Sequence, residues 1–319
     1  MTLGPGLSKR YAPNMNRKLF IVSLVLTAVI SGCATREFTI ETARAGAERG
    51  DARAEFFLGK RCARGEGVPQ DYAKAAEYFR QAAAQGYAPA ENGLGALYVQ
   101  GTGVSQDYAE AVKWFQQAAA KGDPRGELNL GRALEAGRGV VTNMAEAMEW
   151  YRRAAAQGLL EAELELGGIY LGGRGWPADY NMARTWYEKA AQQHSAIAIN
   201  ALGVIFEEGG PGVPKDLTKA VGCFRQAAQA GDGKGLMNLG RMYLQGSGVP
   251  KDPVEAYKWF YLATRRSGGA GARHYLEQLE GKVHLDLDVP ELTAEQRQEA
   301  IRRVNEFQAS NRKSAEDER

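Results

Sequence analysis

One dipeptide, Leu-Gly, returns along the chain at an almost constant interval. Its leucines are spaced 36, 36, 36, 36 and 37 residues apart, at Leu58, Leu94, Leu130, Leu166, Leu202 and Leu239. An Asp or Asn keeps the same interval, and so does a pair of aromatic residues, which the fifth unit weakens to Cys223-Phe224. Self-similarity at a period of roughly 20–50 residues is typical of arrays in which each unit packs only against its neighbours. The 319-residue chain is therefore predicted to be a linear array of six units.

Each unit is predicted to be a pair of helices, A and B. Helix A contains Leu-Gly and ends at a glycine such as Gly65, and a Gly-x-Gly-Val-Pro type of loop follows. An Asp or Asn then caps helix B, because its side-chain oxygen accepts from free N–H groups of the first turn. Helix B ends at a second glycine such as Gly86. His194 stands at this position in the fourth unit, where we expect a strained turn.

Small and apolar residues form one stripe along helix B. In the first unit they are Ala75, Phe79 and Ala82–Ala83, at helical spacing after the cap. One helix pair cannot bury such a stripe alone, whereas stacked pairs bury a continuous core. The glycine of Leu-Gly and the alanines allow close approach of the helix axes. Large residues such as Trp114 are expected to fill the remaining space.

This pattern resembles the Sel1-like repeat family, a relative of the tetratricopeptide repeats. The resemblance rests on Leu-Gly, the Gly-x-Gly-Val-Pro-x-Asp loop, and the Ala-x-x-Trp-aromatic and Ala-Ala segments of helix B, and it covers residues 51–268. The predicted fold class is all-α, a right-handed superhelical α-solenoid of about six 36-residue helix-turn-helix repeats. Some relatives carry a disulfide in each repeat and have been linked to β-lactam hydrolysis. With only Cys33, Cys62 and Cys223, this chain lacks the paired cysteines, so neither property is carried over.

Flanking segments are predicted to close the array at both ends. Residues 33–50 are expected to form a tether and an N-terminal capping helix, and residues 269–282 an unpaired helix A. A linker and a C-terminal capping helix follow at 283–309, and the Thr-Ala-Glu-Gln start of that helix is a capping box. Residues 310–319 are polar and charged, which predicts a disordered tail.

Residues 1–32 have the features of a bacterial lipoprotein signal peptide. Two basic residues precede a twelve-residue apolar run, Leu19–Ile30, and such a run is too short to span a bilayer, which needs about 20 residues. The Ile-Ser-Gly-Cys sequence that follows resembles a lipobox, which implies acyl chains on Cys33, although an ordinary buried cysteine is the alternative. Ala34 resembles the residue that directs lipoproteins to the outer membrane. The signal is complete from Met15, so both Met1 and Met15 stay open as the start.

Composition argues against several other function classes. Residues 1–32 hold four basic residues and no acidic one, and the remaining chain carries 36 basic against 38 acidic residues. A nucleic-acid-binding protein would need a strongly basic face. His194, His274 and His284 lack metal-ligand spacing, so we predict no metal site, no catalytic residue and no cofactor. The Gly-x-Gly loops recur at a turn that needs glycine, which favours a structural role over phosphate binding.

Two function classes remain after these exclusions. The first is a non-catalytic scaffold for protein–protein interaction. It would be a monomeric outer-membrane lipoprotein that faces the periplasm, contacts the membrane through acyl chains on Cys33 and binds other envelope proteins. The alternative is an enzyme that acts on a cell-wall or β-lactam-like substrate in the superhelical groove.

The residues that would bind a partner follow from analogy with tetratricopeptide arrays. There, the helix A positions two after and five before the leucine face the groove. Ordinary solubilising charges at these positions are an equally good explanation. The candidate groove residues are Arg53, Lys60, Arg125, Arg132, Lys234 and Arg241 at these positions, with Asn92 between the first and third units.

The proposed anchor can be tested by replacing Cys33 with Ser. A hydroxyl cannot replace the thiol as the acylation site, so the variant is expected to stay unprocessed or soluble and to incorporate no labelled fatty acid. Metabolic labelling followed by fractionation of the envelope measures both. Label retained in the variant would contradict acylation at this cysteine.

Overall fold

The computed structural model describes residues 38–267, 269, 271–282 and 291–317, with side chains to residue 313. Regular structure in these ranges is helical, apart from one isolated bridge between Gly210 and Val213. The two helices of each pair lie against each other, and each helix B lies against the next helix A, which confirms the predicted all-α solenoid. The fifteen helices are α1 Ile40–Ala47, α2 Ala52–Arg64, α3 Tyr72–Ala84, α4 Ala88–Gln100, α5 Tyr108–Ala120, α6 Pro124–Ala136, α7 Met144–Ala156, α8 Leu160–Gly172, α9 Tyr180–Gln192, α10 Ala196–Glu208, α11 Leu217–Gln229, α12 Gly233–Gln245, α13 Pro253–Ala263, α14 Ala272–Leu279 and α15 Ala294–Asp317.

The helix boundaries follow the predicted caps. The Asp71 side chain accepts from the Lys74 N–H at 2.9 Å, and the equivalent Asp or Asn does the same in all six repeats. Helix B of the first repeat ends in a Schellman turn, in which the Gly86 N–H donates to the Ala83 carbonyl at 2.8 Å. His194 takes the equivalent place with φ 60°. This confirms the strained turn, since left-handed backbone costs a non-glycine residue about 1–2 kcal/mol.

The glycine of each Leu-Gly pair lies directly against an aromatic ring of helix B in the same repeat. A Cβ atom added at these glycines would lie only 2.5–2.8 Å from a ring carbon, whereas non-bonded carbons prefer about 3.5–4.0 Å. Any side chain here would push helices A and B apart. The six contacts are Gly59–Phe79, Gly95–Phe115, Gly131–Tyr151, Gly167–Tyr187, Gly203–Phe224 and Gly240–Phe260.

The second residue of each aromatic pair, rather than the first, carries this contact. Phe115 is 3% exposed, while Trp114 is half-buried. The expectation that Trp114 fills the core is therefore met only in part, because Trp114 packs against the core cluster and stays partly exposed. Phe115 lies in the buried stripe of helix B, and its neighbour in sequence is rotated by about 100° around the helix axis, toward the surface.

The Gly-x-Gly loops need glycine twice, for different reasons. Gly101 ends helix A in the left-handed conformation, with φ 68°. Gly103 packs against the preceding repeat, where an added Cβ would lie 2.1 Å from the carbonyl oxygen of Tyr72. Gly139 meets Tyr108 in the same way at 2.2 Å. The loops are therefore contacts between repeats, which accounts for their recurrence without phosphate binding.

A buried glutamate joins helix A to the end of helix B in the first four repeats. Glu55 is 4% exposed and accepts from Gln85 at 2.8 Å, and burial raises the pKa of its carboxyl. Gln or Lys donates to the equivalent glutamate in the next three repeats. The fifth repeat replaces both partners, with buried Ile199 and with Ala230. The same position on helix A is thus occupied by a hydrogen-bonded glutamate in four repeats and by a buried apolar side chain in the fifth.

Additional helices cover both ends of the array. Helix α1 packs on α2, and α14 lies against α13 where the next helix A would lie. Helix α15 also packs on α13, through buried Ala300 and Val304. Its predicted capping box is confirmed, because Thr293 and Gln296 exchange side-chain-to-backbone hydrogen bonds of 2.9 and 3.2 Å.

The C-terminal helix is longer than expected. Residues 310–319 were assigned to a disordered tail, but α15 continues to Asp317. This helix contains no Gly or Pro, and Arg302 pairs with Glu299 and Glu306 at helical spacing. Both features favour helix continuation over the disorder that composition alone suggested. The predictions for residues 1–37, including Cys33, and for the linker at 283–290 lie outside the described residues.

Replacing Gly203 with Ala is expected to lower the free energy of unfolding by about 1–3 kcal/mol, because the new methyl group overlaps the Phe224 ring. Gly222→Ala is the matched control, since it lies in helix B of the same repeat with nothing within 4 Å of an added Cβ. We expect this control to gain about 0.5–1 kcal/mol from improved helix propensity. Urea unfolding followed by circular dichroism measures both changes, and equal effects would contradict a close contact at Gly203.

Candidate binding groove

Side chains of neighbouring helices A contact each other along one face of the array. The Asn129 amide donates to the Asn92 oxygen at 2.8 Å between α6 and α4. Asn238 donates to Asn200 at 2.9 Å between α12 and α10. The seven candidate groove residues all lie on helices A, and none of them is buried. The row of helices A therefore forms one surface that carries all seven candidates.

Three of the seven candidates meet in one groove. Lys60 of α2, Asn92 of α4 and Arg125 of α6 line a cavity of about 180 Å³, whose apolar surface includes Phe56 and Phe79. We call this cavity the basic groove. Residues from three successive repeats reach it because consecutive helices A lie side by side.

Two cations of the basic groove form no ion pair, although Arg125 interacts electrostatically with Asp123. Lys60 and Arg125 form no ion pair with any residue that the structure describes, and the Lys60 ammonium lies 5.6 Å from the Phe56 ring centroid. Asp123 is the only acidic residue lining the groove. Its carboxylate is occupied as the cap of α6, where it accepts a backbone N–H at 2.7 Å. An anionic group would thus meet two positive charges beside an aromatic surface.

Arg132 forms an ion pair with a neighbouring helix A, although 47% of its side chain stays exposed. It donates to Glu165 of α8 through Nε and Nη2, at 3.1 and 2.7 Å. Arg174 bridges Glu165 and Glu135 at 3.0 Å each. Burial alone would raise the pKa of Glu165, but the hydrogen bonds and charges of Arg132 and Arg174 outweigh it and hold that pKa below its ordinary value. The stabilisation is therefore present at neutral pH and is lost as the pH falls through the lowered pKa.

Arg241 is also committed to a neighbouring helix A. Its two Nη atoms donate to the two carboxylate oxygens of Glu207 at 2.6 Å each. The side chains are 29% and 16% exposed, so the pair is largely shielded from water. By contrast, Lys234 and Arg53 are exposed and form no ion pair with a described residue. The candidates thus divide into cations that hold helices together and cations that remain available.

The repeats match a known sequence family over most of the chain. The Sel1 repeat profile matches six consecutive segments, 52–87, 88–123, 124–159, 160–195, 196–232 and 233–267. The chain belongs to the Sel1 repeat family. Sel1 repeat proteins are generally scaffolds for protein–protein interaction and are generally non-catalytic. No curated protein matches the sequence.

Two solved structures illustrate the similarity of this Sel1 repeat protein to others. The first is c5321, a protective antigen of uropathogenic Escherichia coli with an SLR fold, at 35% identity and a TM-score of 0.70. The match covers 85% of this chain and 56% of c5321, so this chain spans little more than half of that protein. The second is a Sel1 repeat protein from Oxalobacter formigenes, at 28% identity and a TM-score of 0.61, with 80% and 99% of the two chains covered.

Within the described ranges, this Sel1 repeat protein has no group of three His, Cys, Asp or Glu side chains placed to hold a metal ion. Cys62 and Cys223 are free thiols. Burial raises the pKa of both, which disfavours the reactive thiolate at neutral pH. Over the same residues, none of the helices combines the length and the apolar character required to cross a bilayer.

Sequence reasoning missed the carboxylates that face two candidate arginines. Glu165 lies one residue before the leucine of the fourth repeat, and Glu207 lies five residues after that of the fifth. If the repeats are aligned on their leucines, the positions of Glu165 and Glu207 can be compared with those of Arg132 and Arg241 in adjacent repeats. This comparison would have suggested both ion pairs. Phe56 occupies the same repeat position as Asn92, two residues before the leucine. Comparing this position in all six repeats would have indicated that Phe56 lines the groove.

Replacing Arg241 with Ala is expected to lower the free energy of unfolding by about 1–3 kcal/mol, because the largely buried Glu207 carboxylate loses both donors. Lys234→Ala on the same helix is the control and should change stability by less than about 0.5 kcal/mol, since that side chain is exposed and unpaired. Chemical denaturation of the two variants measures the difference. A null effect of Arg241→Ala would contradict a structural role for this pair.

Proposed function

We propose that this protein is a non-catalytic scaffold of the bacterial cell envelope that binds a partner protein at the basic groove. The observation that carries the proposal is that Lys60 and Arg125 line one groove beside Phe56, and neither forms an ion pair with a described residue. Cations left unpaired on a surface attract an oppositely charged partner and raise its association rate. Aromatic side chains beside them supply the apolar contact that carries most binding energy. The partner segment is accordingly acidic with an apolar anchor.

The envelope location rests on the N-terminal sequence. Residues 1–32 read as a lipoprotein signal peptide and Cys33 as the acylated residue. In this arrangement the repeats face the periplasm from the outer membrane. The alternative of an enzyme acting on a cell-wall or β-lactam-like substrate gains no specific observation, and we do not propose it.

The basic groove can be tested by reversing its two unpaired charges together, Lys60→Glu with Arg125→Glu. We expect recovery of envelope partners to fall by about tenfold or more at low salt, because electrostatic steering alone contributes on this scale. Melting temperature should barely change, since exposed unpaired charges add little stability. Pull-down from detergent-solubilised envelope, with quantitative mass spectrometry at low and high salt, measures the recovery.

The matched control carries the same charge change away from the groove, Arg80→Glu with Lys251→Glu, at two exposed positions. It is expected to recover the same partners as the unmodified protein. Identical partner sets and salt dependence for the groove variant and the unmodified protein would remove the basic groove from consideration.

A further inference from the structure

A second cleft lies toward the other end of the array, where helices α11 and α13 end beside α15. Its volume is about 420 Å³, within the range of roughly 300–1,000 Å³ typical of small-molecule sites. We call it the arginine cleft, after Arg265, Arg266 and Arg312, which line it. It shares no lining residue with the basic groove.

The inner surface of the arginine cleft is apolar. Ala228, Leu236 and Leu262 line it and are 1%, 2% and 7% exposed. The Phe307 ring of α15 also lines the cleft, and its position is set by an edge contact with Trp259, at 5.0 Å between ring centroids. Burying a short hydrocarbon group against this surface would contribute about 25 cal/mol per Å².

The remaining lining groups are cationic or neutral, and no Asp or Glu is among them. Arg265 lines the cleft, but its guanidinium lies against Tyr261, which is not a lining residue, with a hydrogen bond of 2.6 Å to the hydroxyl and 4.7 Å to the ring centroid. Arg266 lies against the Gly231 turn, where an added Cβ would be 3.8 Å from its guanidinium carbon. None of the three arginines forms an ion pair with a described side chain. Among the described side chains, Arg266 and Arg312 therefore bring positive charge to the cleft and no carboxylate lines it.

The geometry points to a binding site for a soluble small molecule that carries a phosphate or carboxylate on a short apolar group. Guanidinium groups bind such oxyanions through paired, charge-assisted hydrogen bonds. The apolar surface lies in the same cleft as the arginines, so a single small ligand satisfies both. A lipid in a bilayer fits less well. Its headgroup could reach the arginines, but its acyl chains stay in the membrane and would not cover the apolar surface of the cleft. This site is independent of the protein partner at the basic groove.

Octyl phosphate, kept below its micelle concentration, is the probe for this site, and isothermal titration calorimetry measures its binding to the chain without its signal peptide. We expect saturable binding of one equivalent, with inorganic phosphate and octylamine binding at least about tenfold more weakly, since each lacks one half of the interaction. Arg266→Glu should weaken octyl phosphate binding by about tenfold or more. Arg80→Glu makes the same charge change on helix B of the first repeat and should leave binding unchanged.

Thermal melting followed by circular dichroism checks that the variants are folded, and Arg266→Gln replaces Arg266→Glu if the charge reversal prevents folding. Absence of saturable octyl phosphate binding would overturn the proposal. Equal affinity for inorganic phosphate, or unchanged affinity in the Arg266 variant, would do the same. Tighter binding to phosphatidylglycerol vesicles than to octyl phosphate would assign the arginines to a membrane surface and also overturn it.

Discussion

The contact between a glycine of helix A and an aromatic ring of helix B sets the geometry of every repeat. With Gly131 against Tyr151, as in each of the six repeats, the two helices approach more closely than any side chain at the glycine would allow. The same spacing in each pair lets successive pairs stack in register, and the buried alanines of helix B complete the contact. The row of helices A, and with it any groove between them, depends on this uniform spacing.

Differences between the repeats show which side chains hold the helices together and which are available to bind a ligand. The buried glutamate of the first four repeats becomes Ile199 in the fifth without loss of the helix pair, so the position needs a good contact and not a particular chemistry. Charges on the exposed side of helix A behave differently. Arg132 and Arg241 each form an ion pair with a carboxylate on a neighbouring helix A, whereas Lys60 and Arg125 form none with a described residue. Only the second kind leaves charge available for a ligand.

Much of the fold could be predicted because its signals are local and repeated. The caps at Asp71 and its equivalents, the glycine turns and the capping box at Thr293 depend on residues within a few positions of each other. The partial exposure of Trp114 could not be predicted, because the two members of an aromatic pair are alike in composition and differ only in which side of the helix they occupy. The continuation of α15 to Asp317 was missed because polar composition does not distinguish an exposed helix from a disordered tail.

The sequence by itself determined the helix pairs, their order and the face that carries the candidate residues, since a 36-residue period and helical stripes are properties of the chain. Tertiary structure alone decided which charges are free. Arg132 and Glu165 are 33 residues apart, and only the stacking of their helices makes them partners. The same stacking gathers Lys60, Asn92 and Arg125 into one groove. Pairing between repeats depends on distance in space, which the position of a residue within its own repeat does not specify.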